Sequence, residues 1–162
     1  MEALALSPVQ ADARAAHFAV LIDQGVDPER AALARWSRFS AAQSAGRLHL
    51  IGLRRPYTLP GVHAVAGVFF TDHSARLLLA AHAAALRAEA DRIVAIRDWL
   101  ATFGHSSTLE FVDTTVHRAL RLVPDRWPAD LVLVASRAWR LPARTAGVTV
   151  ERLVCIGSRR SC

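Results

Sequence analysis

The stretch VDPERAALARWSRFSAAQSAGRLHLIGLRRPYTLPG, Val26 to Gly61, decides how the chain is read. Asp27-Pro28 is a helix-start signal: the carboxylate can accept from the free N–H groups of a first turn, and proline suits the first helical position. The pattern predicts a helix running to Ala45 and stopped at Gly46, glycine being the usual residue just past a helix end. Leu48 to Leu53 follows as a short apolar strand. Arg54-Arg55-Pro56 breaks it, and Tyr57 to Leu59 returns as a second strand. Helix, stop, strand, turn, strand is the layout of a recognition helix followed by a wing. At about 100° per residue, Leu33, Trp36 and Phe39 cluster on one side and Arg30, Arg35 and Arg38 on the other. The arginines are interleaved with alanines, which let a helix backbone approach a groove while guanidinium groups reach phosphates or guanine edges. The plainer alternative is an amphipathic helix whose basic side faces water.

Working outward, Ser7-Pro8 opens a predicted helix over Val9 to Gln24, with Ala15, Phe18, Leu21 and Ile22 on one face and Gly25 ending it. Packed under the Leu33/Trp36/Phe39 side of the next helix, it completes helix-turn-helix spacing. Downstream, residues 64–70 are apolar and β-friendly. Ser74 to Ala90 reads as a strong Ala/Leu helix. Ile93 to Ile96 reads as a short β-like run, followed by a short helix ending at Gly104. A strand is expected over Thr108 to Val112, a helix over Thr114 to Val123 ended by Pro124, and strands over Leu131 to Ala135 and Val148 to Ile156. Helices and strands mix without strict βαβ alternation. The expected class is therefore α+β: an N-terminal winged helix-turn-helix domain over 7–61, a small mixed α/β domain over 62–156, and a tail over 157–162.

Composition bounds the function classes. The chain has 162 residues, 52% hydrophobic, with mean hydropathy +0.22, enough apolar side chains to bury a core. Net charge is +6, and every Lys-or-Arg position is Arg; Lys and Asn are absent. With abundant Ala, that pattern points to a GC-rich coding sequence as well as to polyanionic partners. Cys155 and Cys162 form neither a disulfide framework nor a zinc knuckle. Met1 to Leu6 lacks the basic and apolar regions of a signal peptide, and charges interrupt the longest apolar runs, so a cytoplasmic protein away from membranes is expected.

The DNA-facing candidates are Arg30, Arg35, Arg38 and Arg47 at the helix and wing base, with Arg54 and Arg55 at the wing tip; the alternative is solvated arginines. Arg137, Arg140 and Arg144 with Trp139 form a second basic patch, able to stack on bases or on a partner, or simply an exposed hairpin. No HExxH pairing occurs among the seven histidines and no glycine-rich phosphate loop is present, so neither a metal, a cofactor nor catalysis is expected. A grouping of Ser107, His117 and Asp125 is the alternative that would make the 105–125 region a small hydrolase or nuclease.

With these elements placed, the chain resembles the AbiEi-like antitoxins of bacterial type IV toxin–antitoxin systems. The likeness is carried by Gly25-Val26-Asp27 leading into the Arg-studded helix that ends Ser44-Ala45-Gly46-Arg47-Leu48-His49, and by Arg55 to Gly61. It continues through Arg76 to Ala81 and Ile93 to Arg97, closing on Phe103-Gly104, and through Leu131 to Val134 with Gly147 to Arg152. Ala95-Ile96 stands where the family carries Ser-His, and Pro56 replaces a wing glycine. The chain ends Gly-Ser-Arg-Arg-Ser-Cys, where the family continues with a Thr/Arg-rich helical region. The resemblance implies a winged-helix transcriptional regulator that binds double-stranded DNA, represses its own operon and has a cognate toxin protein as partner. A protein-interaction module without nucleic-acid binding is the rival reading.

Overall fold

The computed structural model describes residues 17–41, 47–55, 72–138, 140–153 and 155, without the side chains of 36–41 and 72–75. Strand β1 (His17–Asp23) leads to helix α1 (Arg30–Ala41) and β2 (Arg47–Arg54). Helix α2 (Asp72–Ala101), β3 (Ser107–Asp113), α3 (Val116–Arg126) and β4 (Leu131–Ala135) follow, and the short β5 (Arg144–Thr145) and β6 (Val148–Arg152) end the described fold. The six strands form one sheet in the order β3-β2-β1-β4-β6-β5. Every pairing is parallel except β5 with β6.

Parallel strands need crossovers, and helices supply those that join β1 to β2, β2 to β3 and β3 to β4, on both faces. Phe18, Val20 and Ile22 point to the face covered by Ala32 and Leu33 of α1 and Ile93, Ile96 and Leu100 of α2. Ala19 and Leu21 point to the face covered by Val116, Ala119, Leu120 and Val123 of α3. The chain steps from β1 to β2 to β3 with helices on one face, then returns past β1 to β4 with a helix on the other, as crossovers of a single hand require.

This architecture overturns the α+β winged-helix expectation. The first predicted helix is instead β1 from His17 onward, its first half lying outside the described residues. HFAVLID is apolar on both sides because the strand is central and covered twice, and such a run cannot be told from a buried helix by periodicity. The expected recognition helix is a crossover, seated on the sheet through Ala32 and Leu33. The expected first wing strand is β2, hydrogen-bonded on both sides by β1 and β3. The expected return strand over Tyr57 to Leu59, the apolar 64–70 run and the 157–162 tail lie outside the described residues.

Two further differences have local causes. Helix α2 runs unbroken through Ile93 to Ile96, because Glu89, Ile93, Ile96 and Leu100 recur at helical spacing and are the buried ones among its described side chains. Its first half carries Leu77 and Leu79, 58% and 57% exposed. Helix α3 continues past Pro124 to Arg126. Proline lacks the N–H that would bond the carbonyl four residues back, and the Thr145 hydroxyl donates to that Leu120 carbonyl at 2.9 Å instead.

At the amino end of the sheet, His49 Nδ1 lies 2.7 Å from Thr108 Oγ1. Burial, aided by the charges of His17 and Arg47 and opposed by Glu110, holds its imidazole below the ordinary value of 6.5. The folded state then binds fewer protons than the unfolded chain, so this site's contribution is intact above pH about 6.5 and is lost as pH falls toward the folded value. A His49→Gln variant is expected to show a shallower loss of melting temperature between pH 7.5 and 5 than the parent. Identical pH profiles for the two proteins would refute the assignment.

Candidate functional site

In an open α/β sheet, ligands bind beyond the carboxyl ends of the strands, where neighbouring strands send their chains to opposite faces. Here that point lies between β1 and β4. The chain leaving β1 turns to α1 on one face. The chain leaving β4 passes Leu141, packed on the α3 face, before it enters β5.

Asp23, the last residue of β1, marks the crevice. It is 5% exposed, and each oxygen is engaged. Oδ1 accepts from the Gln24 N–H at 3.0 Å. Oδ2 accepts from the Ser136 hydroxyl across the β1–β4 gap at 3.0 Å, and from Arg55 Nη2 at 3.4 Å. Ser136 Oγ in turn accepts from the Ala138 N–H at 3.0 Å, which shapes the exit from β4. The Arg55 N–H donates to Gln24 Oε1 at 2.9 Å, tying the β2 exit to the β1 exit.

The surrounding charge is positive. Arg137 is exposed directly after Ser136. Arg152 donates to the Ala138 carbonyl. The buried Cys155 thiol lies beside Ser136; desolvation pushes it up, while the Arg152 and Arg137 charges pull it down. Cys155 also bridges to Pro28, so the chain beyond β6 reaches the start of α1.

A second network holds the β1–α1 turn. Glu89, 8% exposed, accepts from the Gly25 N–H at 3.3 Å. Arg92 pairs with Glu89 and Asp27 and donates to the Val26 carbonyl at 2.5 Å. Beside it a cleft of about 240 Å³ is lined by Asp27, Pro28, Arg30, Leu33, Arg92, Ala95 and Ile96.

The arginines expected to face DNA are dispersed. Arg30 lies over the Trp99 ring at 5.6 Å, and Arg35 is exposed on α1. The Arg38 side chain and Trp139 lie outside the described residues. Arg47 starts β2, at the sheet end opposite Arg54 and Arg55. Arg54 pairs with Asp113 at 2.8 Å; Arg55 reaches Asp23. Of the second patch, Arg137 borders the crevice, Arg140 is exposed beyond it and Arg144 belongs to β5. Ser107, His117 and Asp125 share no hydrogen bond, since Ser107 begins β3 while His117 and Asp125 are exposed on α3. Among the described residues no group of three or more His, Cys, Asp and Glu is placed to hold a metal, and no helix is long and apolar enough to cross a membrane. Asp23 and Ser136 were not singled out by sequence; the available signal was an apolar run ending in Asp, then a Gly turn and a helix start.

No family model matches the chain, and no curated protein matches it. Solved structures do. The chain is similar to universal stress protein UspA from Lactobacillus plantarum, with 16% identity, a TM-score of 0.55 and coverage of 88% of this chain and 100% of that one. It is similar to a protein of the universal stress protein family from Burkholderia pseudomallei, with 20% identity, a TM-score of 0.52 and coverage of 86% and 96%. A universal stress protein family protein from Arabidopsis thaliana, solved with AMP bound, aligns with 11% identity, a TM-score of 0.47 and coverage of 84% and 90%. The first two share this fold. They replace the AbiEi-like resemblance, and with it fall the DNA-binding autorepressor, the double-stranded DNA and toxin partners, and the interaction-module and hydrolase alternatives. Where they fall on described residues, the short motifs that suggested the antitoxins lie on crossover helices and strands of the sheet.

Proposed function

We propose that the chain is a binding module for a nucleoside phosphate, held in the crevice between the carboxyl ends of β1 and β4. The observation that carries this is the Asp23 carboxylate, buried at the sheet's switch point and bonded across it to Ser136. A carboxylate accepts only, so it suits ligand hydroxyls or N–H groups and repels a bare anion. Arg55 and Arg137 beside it donate only, and suit phosphate. A ligand with a hydroxyl-bearing sugar at one end and a phosphate at the other satisfies both. The β4 exit, Ser136 to Ala146, contains no glycine, so phosphate recognition falls to guanidinium side chains rather than to a glycine-rich backbone cradle.

The test is calorimetric titration of the full chain with AMP, ADP and ATP. Saturable binding is expected, weakened about tenfold or more in Asp23→Asn, the loss of one charge-assisted hydrogen bond. Circular dichroism of the variant separates a binding loss from unfolding. No saturable binding of any of the three, or an Asp23→Asn variant that binds as the parent does, would refute the reading.

A further inference from the structure

We propose that Arg55 is the residue by which this crevice distinguishes a phosphorylated nucleoside from an unphosphorylated one: on binding, its guanidinium moves from Asp23 to the ligand phosphate, and the carboxylate lone pairs it releases take the sugar hydroxyls. The inference rests on the nucleoside phosphate reading above.

The acceptor count requires an exchange. A carboxylate offers about four lone-pair positions. Three are taken at Asp23, by the Gln24 N–H, the Ser136 hydroxyl and Arg55. One remains, whereas a vicinal diol donates twice. Of the three donors, only Arg55 can leave cheaply. The Gln24 N–H is main chain adjoining Asp23, and Ser136 is 3% exposed. Arg55 makes the longest contact, 3.4 Å, from a side chain 67% exposed, whereas the Asp23 side chain is 6% exposed. Its backbone is anchored separately through Gln24 Oε1, so the guanidinium can move without disturbing the β2 exit. An arginine fork carries five N–H donors, and the contact with Asp23 engages Nη2 alone.

Arg54 is not equipped for this exchange. Its Nε lies 2.8 Å from Asp113, and its guanidinium sits 5.7 Å from the centre of the Phe111 ring. Arg137, exposed directly after Ser136 at the β4 exit, is the nearest candidate for a second donor to the phosphate.

The experiment compares AMP, adenosine, 2′-deoxyadenosine 5′-monophosphate and inorganic phosphate on the full chain and on Arg55→Gln. The parent is expected to prefer AMP over adenosine by about tenfold or more, and over the deoxy analogue by less. In Arg55→Gln the preference for AMP over adenosine should shrink to within about threefold, while adenosine binds as well as or better than it does to the parent. Inorganic phosphate should not saturate either protein at millimolar concentration. If the parent binds AMP and Arg55→Gln keeps the full AMP preference, the assignment of Arg55 is overturned and the crevice reading stands. If Arg55→Gln loses adenosine as strongly as AMP, Arg55 is a structural support and phosphate discrimination is refuted. If the parent binds neither AMP nor adenosine, both readings fall.

Discussion

Replacing Arg92 with alanine is expected to lower stability by about 3 kcal/mol, the largest loss anticipated for any single ion-pair change in this fold. Arg92 is the donor that neutralises Glu89, and Glu89 is buried. Removing the arginine leaves an unmatched carboxylate under the β1–α1 turn and strips the Val26 carbonyl of a donor. The Arg92 side chain is 22% exposed, which places the cost at the lower end of the range of about 3–5 kcal/mol for breaking a buried pair. Urea unfolding measures this directly, and the melting temperature should fall by about 6–12 °C for a chain of this size. Replacing both Glu89 and Arg92 with leucine should recover most of the loss, since no charge is then stranded. A single variant within about 1 kcal/mol of the parent, or a double variant no better than the single, would count against this account. The Gly25 N–H bonded to Glu89 belongs to the turn that follows Asp23, so Arg92→Ala is also expected to weaken the proposed nucleotide binding.

Gly52→Val is expected to destabilise the fold by about 2–3 kcal/mol, through crowding rather than backbone conformation. Gly52 lies in mid-strand, paired with Ile22 on one side and Phe111 on the other. A Cβ there would stand 2.7 Å from Cδ1 of Ile93 and 2.7 Å from Cδ1 of Phe111. Helix α2 settles on the sheet because that position has no side chain. The contact on the Ile93 side is the end of a flexible side chain, so Gly52→Ala combined with Ile93→Val should be more stable than Gly52→Ala alone. Thermal or urea unfolding of the series decides it, and a Gly52→Val variant as stable as the parent would remove the steric explanation.

These positions also show how far the residues could be read. The apolar run of β4, the β2 segment after Gly46 and the amphipathic α3 were legible, because strand and helix periodicities are local. The direction of pairing was not. Parallel neighbours meet only through crossovers, and nothing in Leu48 to Leu53 distinguishes a wing strand from a strand between two parallel partners. With β1 taken for a helix, the βαβ unit from His17 to Arg54 has the spacing of a helix-turn-helix, and Asp23 is an interior helical residue instead of the end of a strand. Arg54 and Arg55 drew attention through their charge. Their separate duties, one paired with Asp113 and the other with Asp23, depend on partners 59 and 32 positions away. Ser136 carried no signal of its own, since its role arises only where β4 lies beside β1.

The central place of β1 has a consequence for how the protein is made. Its partner β4 lies 113 positions later in the chain, Phe18 pairing with Leu131. At about 5–20 residues per second, β4 leaves the ribosome roughly 6–23 s after β1. For that interval one edge of a strongly apolar strand is unsatisfied. During translation the β1–α1–β2 unit must shield it, or a chaperone must. Slow synthesis between residues 55 and 131 should therefore lower the yield of folded protein more than slow synthesis after residue 135.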